Sequence, residues 1–296
     1  MSNTTTSLVR QIDSATELQS VVRTMKALAA SRIGQYEQAV GALADYADSI
    51  ELGLSVCMRH AASEHRITAD SATSMAGVTG ALVFGSDQGL VGQFNDVVAD
   101  HAGETLADLS TPPMIWAVGE RVQARLADRG LQLTGSFTVP HSVSGITALV
   151  ANMLIASEAR ISAGDIGGLY LFYNRSRPGG GYGPVSQRLL PLDGHWRRQL
   201  VERDWPTTRL PEVIGTSTAT LQALIREYLF VSLFRACAES LACENASRLA
   251  AMQRADNNID QLLAEFSVTF HRVRQAEIDE ELFDVIAGFE ALAREF

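Results

Sequence analysis

Proline is missing from both ends of this 296-residue chain. All eight prolines lie between Pro112 and Pro211, so residues 1–111 and 212–296 have none. The last 80 residues, 217–296, also lack glycine except for Gly288. Proline removes a backbone donor and clashes with the preceding turn, so both ends are free to run as long helices. At 1.5 Å per residue, 80 helical residues would span ~120 Å, and such a helix needs a partner. Long apolar runs are missing too. None approaches the ~18–20 residues that cross a bilayer, and MSNTTTSLVRQ has no basic region followed by an apolar run, so the expected residence is inside the cell. Cys57, Cys237 and Cys243 are odd in number and lack metal-ligand spacing, which reads as buried reduced thiols. The net charge of −10 argues against nucleic acid as the main partner. Lysine occurs once, at Lys26, among 24 basic residues.

Catalytic motifs are absent as well. GSDQGLVGQFN follows an expected strand and precedes an expected helix, where a phosphate-binding loop would lie. Its glycines, Gly85, Gly89 and Gly92, do not form GxGxxG, and no GK[ST] follows, so a tight strand-to-helix turn is the structural reading. Asp87 is one candidate acid. His60 and His65 flank an expected hinge and read as surface histidines. His101, His141, His195 and His271 are scattered, with no HExxH pattern and no GxSxG elbow anywhere in the chain. No catalytic residue, metal ligand or cofactor site is expected.

What is present is helical periodicity at the two ends. Ser7 is a plausible N-cap. Leu8, Ile12, Ala15, Leu18, Val22, Met25, Ala29, Tyr36, Val40, Leu43, Ala47, Ile50 and Leu54 recur mostly every three or four residues, which predicts one coiled-coil helix over 7–59. Gly34 and Gly41 are weak points, each costing ~1 kcal/mol relative to alanine. At the other end Leu221, Ile225, Tyr228 and Ser232 begin a seam, and Ile278, Leu282, Val285, Phe289, Leu292 and Phe296 continue one. The acidic run Glu277, Asp279, Glu280, Glu281 and Asp284 reads as a solvated face, with Arg274 and Gln275 as donors a turn earlier. Between the ends the period changes. Strands are expected at 81–84, 114–118 and 169–173, with a shorter one in 131–139 and a returning one at 188–193 beyond a hairpin tip at 176–187. Helices are expected at 95–108, 120–129 and 146–161. The fold predicted is an α/β insert, a Rossmann-like open sheet, between two long terminal helices that form an antiparallel coiled coil. Its divisions are 1–60, a connection 61–79, the α/β domain 80–193, a linker 194–216, and 217–296.

Three stretches carry a resemblance to the gamma subunit of F-type ATP synthases. Thr24-Met25-Lys26-Ala27-Leu28-Ala29-Ala30-Ser31-Arg32 resembles A-M-K-M-V-[AS]-[AS]-[AS]-K. Ser86 to Asn95 resembles S-D-[RK]-G-L-C-G-x-[FY]-N. Glu244, Ala246, Arg248, Ala251, Met252, Ala255 and Asn257, then Arg274-Gln275-Ala276, Ile278, Glu281, Gly288 and Leu292, match the C-terminal pattern. The resemblance implies a non-catalytic rotor shaft that couples ion flow through a membrane sector to conformational cycling of an alpha/beta catalytic ring. It implies alpha and beta subunits, an epsilon subunit and a c-ring as partners, and a peripheral position on the cytoplasmic face of a bacterial inner membrane. By matching positions it assigns Met25, Lys26, Arg32, Arg248, Met252, Arg274 and Gln275 to contacts with the ring. Ile278, Leu282, Val285, Phe289 and Leu292 go to an apolar bearing. Gln88, Val91, Gln93, Phe270-His271 and Asp256-Asn257-Asn258-Ile259 depart from the pattern and point to a side branch such as a second or sodium-type operon. The coupled ion, proton or sodium, is left open. The alternative readings are a coiled-coil scaffold and a nucleotide-binding enzyme with an α/β domain.

Overall fold

The computed structural model describes residues 4–63, 77–109, 111–192, 194–209, 211 and 217–293. Most of the expected connection 61–79, with His65, lies outside the described residues, as does Phe296; the side chains of His60, His195, Phe289 and Leu292 lie outside them too. The elements run α1 (Thr5–Ala42), α2 (Ala44–Ser63), β1 (Val78–Phe84), α3 (Phe94–Ala107), β2 (Met114–Val118), α4 (Glu120–Asp128), β3 (Leu133–Phe137), α5 (Val143–Ser162), β4 (Ile166–Ser176), β5 (Tyr182–Leu190), α6 (Gly194–Glu202) and α7 (Ser217–Ala293). Contacts divide the chain into two units: Met1–Ala29 with Leu249–Phe296, and Ala30–Arg248.

In the larger unit, five strands lie in the order β3-β2-β1-β4-β5. β1 pairs in parallel with β2 and β4, β2 pairs in parallel with β3, and β5 returns antiparallel beside β4. Alternation along β1 separates the two faces. Ala81 and Val83 enter a core with Val98 and Ala102 of α3 and Val122 and Leu126 of α4. Leu82 and Phe84 enter a second core with Ile146, Val150 and Met153 of α5, Leu171 and Tyr173 of β4, and Tyr36, Leu233, Phe234 and Cys237 from the terminal helices. The sheet is thus covered on both faces, as parallel sheets require. A third cluster packs Ile50, Leu54 and Met58 of α2 against Leu200 of α6 and Val231 of α7. Leu54 has no exposed surface, and burying such a side chain stabilises by ~1.5–3 kcal/mol.

Several expectations shift in detail. The helix expected over 7–59 is two helical segments meeting at Leu43. The Leu43 amide still donates to Ala39 O at 3.3 Å, and Ala47 N donates to Leu43 O at 2.9 Å. The ladder is therefore slackened next to the weak point Gly41, not lost. Thr4, not Ser7, precedes the first turn, and Ser7 N donates to its carbonyl at 2.9 Å. The hairpin tip is shorter than expected, because β5 already begins at Tyr182 and Pro184 pairs with Asn174. α6 lies within the stretch expected to be irregular.

In the smaller unit, α1 and α7 share a seam. Leu8, Gln19 and Ala29 of α1 and Met252 and Asp256 of α7 are buried there. Leu18, expected in the seam, is 60% exposed, and Gln19 is buried in its place. The reason is polar: Gln19 Nε2 donates to Asp260 Oδ1.

Candidate functional site

The SDQGLVGQFN segment folds into a self-bonded turn between β1 and α3. Ser86 N donates to Asn95 Oδ1 at 2.9 Å, and Asn95 Nδ2 donates to Ser86 Oγ at 2.9 Å. Asp87, the candidate acid, accepts the amides of Glu120 at 3.0 Å and Val139 at 2.9 Å, tying the turn to α4 and to the segment after β3. A Cβ at Gly85 would lie 2.3 Å from Val122 Cβ and 2.6 Å from Asn95 Oδ1. These are structural roles, and they agree with the tight-turn reading. Leu90 is held at φ 62° and is 61% exposed, and Gly92 has φ 55°.

The same turn fastens α7 to the sheet. Ser247 Oγ donates to Val91 O at 2.5 Å, and Cys243 packs on Val91 and Phe94. Arg175 of β4 pairs with Glu239 of α7 at 2.7 Å, and Arg226 of α7 pairs with Glu158 of α5 at 2.9 Å. Tyr173 is buried beside this contact, and burial pushes its hydroxyl up to about 12. The contact between α7 and the α/β domain is therefore apolar, hydrogen-bonded and ionic at once.

Arg248 and Met252, matched to ring contacts, have little surface to offer a partner. Arg248 is 7% and Met252 3% exposed. Arg248 Nη2 bonds Glu244 Oε1 at 2.7 Å, one helical turn away. Burial holds the Glu244 carboxyl above its ordinary range, and Arg248 opposes that shift. Glu244 Oε2 and Arg248 Nε are buried without a protein partner.

In the smaller unit Lys26 Nζ donates to Asp256 Oδ2 at 2.9 Å, and Arg23 Nε donates to Asp256 Oδ1 at 3.1 Å. The hydrogen bond from Lys26, then that from Arg23, holds the Asp256 carboxyl below its usual range. The single lysine thus clamps α1 to α7, with its side chain 30% exposed. Met25 is half-buried beside it. Sequence reasoning missed the partners Gln19, Arg23, Asp256 and Asp260. Their signal was available as polar residues of opposite character at seam spacing on two helices expected to pair. Arg274 lines a shallow groove with Thr5, Val9, Arg10, Phe270 and Glu277, while Gln275 is exposed outside it. Thr5 Oγ1 donates to the Glu277 carboxylate. Beyond Glu277 the described α1 has no residue left to pair, and Ile278, Leu282 and Val285 are 54%, 57% and 61% exposed. Arg32, on the larger unit, is half-buried.

Among the described residues no group of three or more His, Cys, Asp or Glu is placed to hold a metal, and no helix is long and apolar enough to cross a membrane.

Residues 4–292 match the family model described as ATP synthase. The chain is 27% identical over 294 residues to the ATP synthase gamma chain of Parafrankia sp. (strain EAN1pec), with 96% of each chain covered. It is 27% identical over 288 residues to that of Moorella thermoacetica, covering 96% of this chain and 98% of that one. In fold it is similar to a chain of the Euglena gracilis mitochondrial ATP synthase rotor, with a TM-score of 0.62, 13% identity and 92% and 97% of the two chains covered. It is also similar to one of the Tetrahymena thermophila mitochondrial ATP synthase central stalk and c-ring, with a TM-score of 0.57, 19% identity and 79% and 99% covered.

Proposed function

The chain belongs to the ATP synthase gamma-chain family, and from that premise we propose that it turns as the central-stalk rotor of an ion-translocating enzyme and carries no catalytic group itself. The observation that carries this reading is the match over residues 4–292, together with the long terminal helices that flank the five-stranded insert. A shaft selects among conformations of the sites around it, so what it must provide is an asymmetric, stiff surface that favours one state of each site at each angle.

The partners proposed are alpha and beta subunits around the coil, and an epsilon subunit and c-ring at the α/β domain. The assembly lies on the cytoplasmic face of a bacterial inner membrane. Met25, Lys26 and Arg32 face the moving beta subunits, and Arg274 and Gln275 face loops of the ring. Ile278, Leu282, Val285, Phe289 and Leu292 form the apolar bearing. The exposed apolar side chains past Glu277 support this last assignment, because nothing in the described α1 covers them. Arg274 supports the ring contact in a different way. An exposed cation such as Arg274 makes weak, successive pairs of ~0–1 kcal/mol, which suits a turning surface.

The test is reconstitution. Purified alpha and beta subunits gain steady ATP-driven rotation when this chain is added. A version lacking residues 80–193 keeps the ring association and loses coupling to the membrane sector. Failure of the intact chain to associate with alpha and beta would refute the reading.

A further inference from the structure

We propose that Asp256 and Asp260 of α7 form a rotational lock: they fix which face of α1 packs on α7, and so which face α1 turns outward. Between residues 15 and 29, α1 carries two stripes that are one residue apart. Leu18 precedes Gln19, Val21 precedes Val22, Met25 precedes Lys26, and Leu28 precedes Ala29. At 3.6 residues per turn, stripes one residue apart lie about 100° apart around the helix. Leu18, Val21 and Leu28 face outward and are 60%, 57% and 54% exposed. Gln19 and Ala29 are buried, and Val22, Lys26 and Met25 are half-buried. The inward stripe is thus the less hydrophobic of the two. Burying leucine and valine gains more than burying glutamine and alanine, so apolar burial alone favours α1 turned by one residue. Something else holds the observed rotation.

The polar bonds do. Gln19 Nε2 donates to Asp260 Oδ1. Arg23 Nε donates to Asp256 Oδ1 at 3.1 Å, and its Nη2 lies 3.6 Å from Asp260 Oδ1. Lys26 Nζ donates to Asp256 Oδ2 at 2.9 Å. Three donors on successive turns of α1 therefore meet two carboxylates one turn apart on α7. Turned by one residue, α1 would withdraw Gln19 and Lys26 and bring Leu18 and Met25 onto the aspartates. The Asp256 side chain is 8% exposed, and an enclosed carboxylate stripped of its cations is strongly disfavoured. Polar groups set into an apolar seam are a known way for paired helices to specify one arrangement at a cost in stability. Asp256 lies in the stretch that departs from the gamma-chain pattern, so the resemblance does not supply this pairing. The lock resides in the chain alone, so its failure leaves the rotor reading intact; within that reading it decides which face of α1 the ring meets.

Maleimide labelling of the full-length chain reads the rotation. The three native cysteines are buried, so a cysteine placed at Val21 or at Val22 supplies the reactive thiol. With the lock intact, Val21→Cys labels about tenfold faster than Val22→Cys, because only the first side chain stands in water. Adding Asp256→Leu and Asp260→Leu inverts that order while helical circular dichroism is unchanged. Asp256→Lys sets a third cation against Lys26 and Arg23 and inverts the order as well. Lys26→Glu added to Asp256→Lys renews the pairing with its charges exchanged and restores the original order. An order left unchanged in either unlocking variant overturns the proposal. So do two equally fast thiols in those variants, which would mean that the aspartates only hold the helices together. Failure of Lys26→Glu to restore the order contradicts the charge pairing on which the lock rests.

Discussion

Replacing Arg248 by methionine separates an internal role from a role at the ring. The Arg248 and Glu244 side chains are 9% and 7% exposed and bond at 2.7 Å. Removing the cation leaves a carboxylate buried without its partner, and breaking such a pair costs ~3–5 kcal/mol. Replacing both residues with apolar ones of similar size removes the stranded charge, and such double replacements are often neutral or stabilising. Glu244→Leu/Arg248→Met is therefore expected to be more stable than Arg248→Met alone. Trp116, Trp196 and Trp205 all lie in the larger unit, as do both members of the pair, so urea unfolding followed by tryptophan fluorescence reads the right part of the molecule. The pH dependence has a definite sign. Burial raises the Glu244 carboxyl, so the folded form holds its proton more tightly than the unfolded one, and the contribution of Glu244 to stability declines as pH climbs through that raised value. Without Arg248 the carboxyl rises further. The deficit of Arg248→Met against the native chain should therefore be larger at neutral pH than in acid, where Glu244 takes up a proton. A deficit that is the same in both conditions, or a double variant as unstable as the sum of the singles, would refute the reasoning. The double variant also asks a functional question: rotation with alpha and beta persists if Arg248 acts only inside the chain, and falls if it touches the ring.

Three further outcomes follow from the same structure. Asp256→Asn releases Lys26 and Arg23. Because those cations hold the carboxyl low, its contribution is present at neutral pH and lost as pH falls through that lowered value. The gap in melting temperature between native and variant chains should therefore close in strong acid; an equal gap at about pH 7 and about pH 2 would contradict this. Gly85→Ala forces a Cβ to 2.3 Å from Val122 and should cost ~1–3 kcal/mol as an overpacked site, read as a lower urea midpoint by tryptophan fluorescence. Changing Ile278, Leu282 and Val285 together to serine touches only exposed side chains, so the isolated chain should change by no more than ~0.5 kcal/mol. In the reconstituted enzyme the same variant should impair ATP-driven rotation, and unimpaired rotation would remove the bearing assignment.

The large features were legible because they rest on simple periodicities. Missing proline and a three-four repeat mark helices, and short apolar runs closed by glycine mark strands. Ala81 to Phe84 had to be a doubly buried strand because both of its faces are apolar, and the two cores confirm the reason. What stayed hidden depends on polar partners brought together from distant sequence. Leu18 was chosen for the seam on hydrophobicity, yet Gln19 occupies it because Asp260 lies across from it. Lys26 was placed only by its motif, and its partner Asp256, 230 residues away, shows only once α1 and α7 pair. Arg248 stands in a polar stretch, and only packing shows that it is enclosed. α6 was missed because GHWRRQLVE is too short to display a period, and its stability comes from Leu200 and Trp196 docking on α2 and α7.

Leu90 remains, a bulky residue in the left-handed region with most of its side chain in water. That backbone shape costs an L-residue ~1–2 kcal/mol, and the exposed side chain recovers none of it inside this chain. Glycine would relieve the strain, as it does two residues on at Gly92, whose φ is 55°. A sequence optimised for thermal endurance alone would therefore not read leucine here. Natural chains sit only slightly above the stability they need, so a margin forgone at one exposed position has to be supplied by burial at others. The doubly covered sheet and the clamped coil are where this molecule holds that reserve.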